Sequence, residues 1–422
     1  MTVRPTDGAC QTRGVTETIV ELKKRGFISL NAHPAGCAAN VAELVDHALA
    51  HREATGAGSP AEPGEGCAVI LGASTGYGLA STIAAAFTHG LPTLGVCLER
   101  PPSRTRTATA GWYNVAAVHD EARARGATVH ILNADCFAHD TKRQILELAR
   151  EHGPVRLLVN SIASPVRTDP DSGETYRSVL KPVGQPYVTK SIRLDTGEIT
   201  TAELEPATDE EIEHTRRVMG GEDWALWIEA LDAADVLADD FRTVAYTYIG
   251  PEVSHPIYRS GSIGQAKAHL EATARDLAAA RGDAPGGAWT SVNGAAVTQA
   301  SAAIPTVPLY LALLMAVTRD LGVEYQSVEA QILRLFDQVL RADTELNLDD
   351  EGRIRVDDWE LDPAIQAEIA RRWELVTTEN LHELGDFARF EHEFDRLFGF
   401  GVEGVDYAAP VEVDVPFEGT TA

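Results

Sequence analysis

An α/β fold, with a parallel sheet covered by helices on both faces, is what this sequence predicts. Three observations carry the prediction. From residue 67 onward, short apolar runs alternate with stretches of helical length; the first run, Cys67 to Leu71, is apolar throughout, as a buried strand is; and it ends in a cluster of glycines from which a helix-like segment departs. Strands separated by helices of this length need crossover connections, which make a parallel sheet.

Taken in order, an N-terminal helix-like segment comes first, and the Gly/Pro-rich stretch from Thr55 to Gly66 punctuates the chain as a loop. After the strand at Cys67, Leu79 to Phe87 reads as helix, Thr93 to Leu98 as strand, Trp112 to Arg125 as helix and Thr128 to Leu132 as strand. Helix Asp140 to His152 and strand Val155 to Val159 continue the alternation. It breaks between Ser164 and Asp240, where a long insertion replaces the next helix. Within it, Asp195-Thr196-Gly197 lies between two β-prone arms, Tyr187 to Leu204, and predicts a hairpin. Thr208-Asp209-Glu210-Glu211 has the form of a capping box and predicts a helix start. The sheet resumes at Thr243 to Tyr248, helix follows from about Gly264 to Arg281, and Trp289 to Val292 is a further strand. Three more helical segments are expected beyond it, the clearest being Ser327 to Ala342, whose apolar residues Val328, Ile332, Leu335, Phe336 and Val339 fall on one face.

Composition narrows the function. The formal charge is −27 over 422 residues, which disfavours nucleic acid, because a phosphate backbone is bound by releasing counterions to clustered Lys and Arg. The longest apolar stretch, Ile304 to Val317, is broken by Pro305, Thr306 and Pro308 and falls short of the roughly 20 residues that span a bilayer. No membrane span is expected. The N-terminal residues lack the apolar core of a secretory signal, and the five cysteines, Cys10, Cys37, Cys67, Cys97 and Cys136, include no Cys-x-x-Cys. They point to a reduced cytoplasm rather than to a disulfide framework or zinc site.

The glycine cluster, Gly72-Ala-Ser74-Thr-Gly76-Tyr77-Gly78, sits between a strand and a helix. In that context Gly72 permits the tight turn, Gly76 lets the backbone approach a pyrophosphate, Gly78 allows close packing, and the helix start offers free N–H groups. A dinucleotide site follows, with G-x3-G-x-G in place of G-x-G-x-x-G. Glu99, at the end of the second strand, is positioned to bond the adenosine ribose and select NADH over NADPH, although Arg100 beside it is a possible phosphate partner. Asp135, ending the third strand, suits either a nucleotide contact or a helix cap.

Tyr258 and Lys267 stand nine positions apart at the entrance to a helix. A protonated phenol can hydrogen-bond a carbonyl oxygen as charge develops on it, and a nearby ammonium would lower the phenol pKa and hold the cofactor ribose. Short-chain dehydrogenases space this pair as Tyr-x3-Lys; here it is Tyr-x8-Lys. His255 is close by and reads as structural.

With these residues in view, the chain resembles the FabV-type enoyl-acyl-carrier-protein reductases and the trans-2-enoyl-CoA reductases. The resemblance is carried by Gly72 to Ala80, Thr109 to Asn114, Ser161-Ile-Ala163-Ser-Pro-Val-Arg167, Tyr176 to Pro182, Tyr246 to Lys267 and Val297 to Pro305, with Arg25-Gly-Phe and His33-Pro34 near the start. It implies a monomer or weak dimer and a single enlarged NAD-binding Rossmann-type domain over residues 1–422, with substrate-side hairpin and helical elements inserted at 164–240. It implies reduction of the C2=C3 double bond of an enoyl thioester with NADH, without flavin or metal. Tyr258 would be the proton donor or enolate stabiliser, Tyr248 a second tyrosine at the thioester, and Lys267 a cofactor ligand supporting the site. Gly72, Ser74, Gly76, Tyr77, Gly78, Glu99, Asp135, Ala163, Val297, Thr298 and Gln299 would complete the cofactor site. Asn160-Ser161-Ile162 departs from the Tyr-Ser-Leu of many relatives and bears on acyl specificity.

Hydride delivered to C3 pushes charge onto the thioester oxygen, so a tyrosine donor is the group that reaction requires. Enoyl-CoA and enoyl-acyl carrier protein both remain candidate substrates, and Arg100, Arg104, Arg106 and Arg167 are candidate contacts for their anionic carriers. A helix at Thr306 to Val317 borders the acyl pocket or belongs to the core. A carbonyl or alcohol dehydrogenase and an NADH-sensing module without catalysis are the competing readings.

Overall fold

The computed structural model describes residues 17–58, 64–103, 106–282 and 284–417. Cys10, Arg104 and part of the loop between Thr55 and Gly66 lie outside them.

Helix α1 (Pro34–Thr55) precedes the sheet. The first sheet strand, β1 (Cys67–Leu71), has every residue buried, as does β2 (Thr93–Cys97). A strand covered on both faces gains nothing from alternation, which is why these runs are apolar throughout. With β3 (Val129–Asn133) and β4 (Val155–Asn160) they alternate with α2 (Gly76–Ile83), α3 (Ala110–Arg125) and α4 (His139–His152). Helix α2 runs on through one π-helical turn, Ala84–Thr88.

Two antiparallel hairpins follow: β5 (Val166–Thr168) with β6 (Thr175–Arg177), and β7 (Tyr187–Ile192) with β8 (Ile199–Leu204). The second turns through Gly197 at φ 68°. Helix α5 (Asp209–Met219) opens with the anticipated capping box: Thr208 accepts from the Glu211 N–H, and Glu211 accepts from the Thr208 N–H. The crossover helix is delayed rather than replaced. Helix α6 (Glu222–Ala233) buries Trp224, Trp227 and Leu231 against the sheet. Trp224 Nε1 donates to Thr243 and Trp227 Nε1 to the Cys136 carbonyl. The inserted elements therefore end before α6, and strand β9 (Leu237–Thr247) starts earlier than Thr243.

Helix α7 (Ser262–Arg281), strand β10 (Gly287–Val292) and the short edge strand β11 (Ile354–Arg355) complete a seven-stranded sheet in the order β11-β10-β9-β4-β1-β2-β3. All six pairings are parallel. Strand order reverses between β1 and β4, and ligands of such sheets sit at that switch, outside the strands' carboxyl ends.

Among the described residues, six helices follow β10 rather than three: α8 (Gln299–Ala302), α9 (Val307–Leu321), α10 (Val328–Leu340), α11 (Pro363–Leu375), α12 (Leu381–Leu384) and α13 (Phe387–Arg396). Helix α9 is buried from Val307 through Thr318. It is the centre of a second core, with Phe390 and Phe394 of α13 and Trp373 of α11 in the same cluster. The β7–β8 hairpin is fastened to this layer: Ser191 donates to the Pro305 carbonyl, and Lys190 Nζ reaches the carbonyls of Trp373, Glu374 and Val376 at the end of α11.

Candidate active site

At the β1 carboxyl end the chain turns through Gly72 at φ 86°, a conformation that strains any residue with a Cβ. Six residues on, a Cβ at Gly78 would lie 1.8 Å from the Gly72 carbonyl oxygen, so α2 can press onto the turn only with glycine there. Thr75 caps α2 without a side-chain bond. The first N–H groups of the helix therefore remain available to an anion.

This turn forms one wall of a cavity of about 1020 Å³ that also takes in Ser74, Tyr77, Glu99, Asp135, Ala163, Val297, Thr298 and Gln299. Glu99 is built into it. Ser74 donates to one of its carboxylate oxygens at 2.5 Å and Thr109 to the other, while its N–H donates to Asn133. A Cβ at Gly111 would strike the same carboxylate. Burial raises the Glu99 pKa and the two hydroxyl bonds oppose that rise. Asp135 lines the cavity and accepts from the Phe137 N–H at 3.0 Å within the turn, but Ala138 holds the cap position of α4, so Asp135 does not cap that helix.

The arginines divide. Arg167 is buried and committed to Glu222 at 2.6 Å and to the Arg217 carbonyl, so it does not face an incoming pyrophosphate. Arg100 donates to the Thr107 carbonyl, and Arg106 is exposed.

Beyond Tyr77 lies a half-buried tyrosine cluster at the end of β9. The rings of Tyr248 and Tyr258 meet edge to face with centroids 5.1 Å apart. Lys267 is buried on α7, and its ammonium donates to the Tyr246 carbonyl at 2.7 Å. Burial lowers its pKa to about 8. Sequence reasoning anticipated that this ammonium would lower the pKa of Tyr258; instead burial raises it, and the phenol keeps its proton at neutral pH. Tyr77 bridges cluster and cavity, donating to the Gly294 carbonyl at 2.7 Å beside Gln331. His255 contacts the Gly250 carbonyl within its own turn, in line with a structural role.

Sequence reasoning missed Glu360. It is fully buried between β11 and α11, where Tyr248 donates to it at 2.9 Å, Tyr310 at 2.7 Å and the Ala295 N–H at 2.6 Å. Tyr310, alone among aliphatic neighbours on α9, was the available signal. Among the described residues, no group of three or more His, Cys, Asp or Glu is placed to hold a metal, and no helix is long and apolar enough to cross a membrane.

Three family models match in series. Residues 19–104 match an NAD(P)H binding domain of trans-2-enoyl-CoA reductase, residues 106–341 a trans-2-enoyl-CoA reductase catalytic region, and residues 348–411 an enoyl reductase FAD binding domain. An enoyl-[acyl-carrier-protein] reductase [NADH] of Coxiella burnetii is 47% identical over 94% of this chain and 96% of its own. One from Burkholderia pseudomallei is 48% identical over 94% and 98%. The trans-2-enoyl-CoA reductase of Treponema denticola, solved with NAD, superposes with a TM-score of 0.88 at 42% identity, covering 94% of this chain and 98% of that one. That of Clostridium acetobutylicum, solved with NADH, gives 0.89 at 35%, covering 96% and 100%.

The 348–411 stretch does not fit a flavin site of its own. Asp362 and Asp386 already occupy the N–H groups that open α11 and α13, and they would repel a pyrophosphate. Phe390 and Phe394 are spent in the core, and Arg389, His392 and Arg396 instead help wall the nucleotide cavity. The glycine turn, Glu99 and the open start of α2 do fit NADH. The chain belongs to the trans-2-enoyl-CoA reductase family of NADH-dependent oxidoreductases.

Proposed function

We infer that this site reduces the C2=C3 double bond of a trans-2-enoyl thioester, with Tyr258 and Tyr248 acting at the thioester oxygen. When bound, NADH supplies the hydride that reaches C3. The start of α2 would hold its pyrophosphate, Glu99 its adenosine ribose, and Lys267 would support the ribose nearest the reacting ring. Ser74, Tyr77, Asp135, Ala163, Val297, Thr298 and Gln299 would complete the cofactor surface. Charge pushed onto the thioester oxygen is stabilised by the phenols, which hold their protons because burial disfavours the phenolate, and a proton delivered to C2 then collapses the enolate and completes the reduction. A preorganised donor of this kind is worth about 10²- to 10³-fold in rate.

The observation that carries this reading is the half-buried Tyr248–Tyr258 pair, linked through Tyr246 and Tyr77 to a cavity that presents a glycine turn and a fixed carboxylate. The inserted hairpins and α5 are substrate-side elements of a single enlarged domain. The protein acts as a monomer in the cytoplasm, where the free, buried Cys37, Cys67, Cys97 and Cys136 are at home. Curated relatives are named for acyl carrier protein and solved ones for coenzyme A, so the thioester is tested on both carriers. NADH oxidation is expected with crotonyl-CoA or crotonyl-acyl carrier protein, and none with the saturated thioesters. Silence with both unsaturated substrates overturns the reading.

A further inference from the structure

The carboxyl of Glu360 receives three hydrogen bonds. The Ala295 N–H can only donate. Tyr310 is oriented by Gln366, whose Nε2 donates to the Glu360 carbonyl at 2.7 Å. A carbonyl accepts only, so the amino end of Gln366 faces this way, and the same Nε2 donates to the Tyr310 oxygen at 3.0 Å. Accepting from that donor, Tyr310 gives its own proton to Glu360 at 2.7 Å. Tyr248, at 2.9 Å, has no second hydrogen-bond partner among the described residues, so its bond is the freest to reverse.

The direction of that bond decides what Tyr248 offers the substrate. Against an ionised Glu360, Tyr248 spends its only proton on the carboxylate and turns lone pairs elsewhere. Against a neutral Glu360, the acid proton goes to the Tyr248 oxygen and the phenol proton is free. An oxygen gaining negative charge needs the second arrangement.

We propose that Glu360 is a positioning residue whose neutral form turns the Tyr248 hydroxyl toward the thioester oxygen, so that turnover requires a proton on Glu360. This rests on the placement of Tyr248 at the thioester given above. The surroundings suit a neutral acid. Glu360 is fully buried, and burial, the largest influence, outweighs its hydrogen bonds and raises its pKa to about 7. Asp357 from its own turn reinforces the rise, although Arg355 is paired with that aspartate. The other titratable groups coupled to it, Tyr77, Tyr248, Tyr310 and Tyr325, are all phenols that burial holds neutral. Nothing cationic contacts the carboxyl among these partners.

The test is the pH dependence of kcat with NADH and crotonyl-CoA, for the full-length wild type, Glu360→Gln, Tyr248→Phe and the double variant. Glutamine keeps the size and cannot ionise, and its amide donates to Tyr248 once the Tyr310 hydroxyl, which still accepts from Gln366, turns its own proton away. Wild-type kcat is expected to fall by about tenfold per pH unit above pH 7 as one group ionises. In Glu360→Gln that fall should disappear, and the alkaline loss should begin only near pH 8, where Lys267 titrates. The double variant should be no slower than Tyr248→Phe alone, because the two residues act in series. NADH affinity, read by fluorescence, should be unchanged in all three and reports intact folding. A Glu360→Gln profile that still falls from pH 7, or losses that multiply in the double variant, overturns the proposal while leaving the Tyr248 reading intact. Wild-type turnover in Tyr248→Phe overturns that reading, and the proposal with it.

Discussion

Glu99 shows how much one side chain depends on its neighbours. Its carboxylate is held by Ser74 and Thr109 and approached by a residue, Gly111, that leaves room only for hydrogen. Such a carboxylate accepts from a ribose hydroxyl and repels a phosphate in the same place. Glu99→Ala is therefore expected to reduce the preference for NADH over NADPH by about tenfold or more, since one unit charge in a partly desolvated site is worth over 1 kcal/mol. Equal kcat/KM ratios for the two cofactors in variant and wild type would place selection elsewhere. The place of Glu99 on the cavity wall was legible because a strand end beside a glycine turn opens onto such a cavity. Glu360 was not, because its chemistry comes from tertiary neighbours: a tyrosine 112 residues earlier, another 50 earlier and a backbone N–H 65 earlier. Arg167 was misjudged for the same reason, since nothing local announces that Glu222 buries it.

Among elements, the turn from β1 into α2 is the most constrained. Gly78→Ala would push a methyl to 1.8 Å from the Gly72 carbonyl oxygen, and backbone on both sides leaves it nowhere to go. A loss of about 1–3 kcal/mol of stability is expected, with NADH binding weakened further because the turn itself must shift. Denaturant unfolding and cofactor titration check both, and a variant as stable and tight-binding as wild type would refute the packing argument. The strands and helices around this turn were legible because apolar runs and glycine punctuation are local signals. Helix α6 was concealed behind two hairpins and α5, so its two tryptophans looked like part of the insertion. Helices α11 and α13 were hidden because charged residues fill their outer faces, and their few apolar side chains, such as Phe390 and Phe394, count only once α9 is seen beneath them.

For the whole molecule, the two cores respond to pH in opposite senses. His89 is buried beside Phe336, and desolvation lowers its pKa from 6.5 to about 4 despite Asp337 nearby. Between those values the unfolded chain binds the proton and the native one does not, so stability is lost as pH falls from 6.5 toward 4. His89→Gln should flatten that part of the melting-temperature profile; an unchanged slope would remove His89 as its source. Glu360 acts the other way. Its native pKa, about 7 against 4.5, means the folded state binds more protons between these values and loses stability as pH rises through them. A carboxyl kept at that cost, in contact with Tyr248 of the proposed site, is what a functional rather than a structural residue looks like.

Tyr258, protonated and half-buried beside Tyr248, is the group proposed above to stabilise the charge that hydride transfer creates. Steady-state NADH oxidation with an enoyl thioester, paired with NADH binding, tests it in Tyr258→Phe. The account predicts a kcat lowered by about 10²-fold or more with NADH affinity within about twofold of wild type, since one hydroxyl is lost and the cofactor cavity is untouched. A variant that binds NADH normally and turns over at the wild-type rate would contradict it.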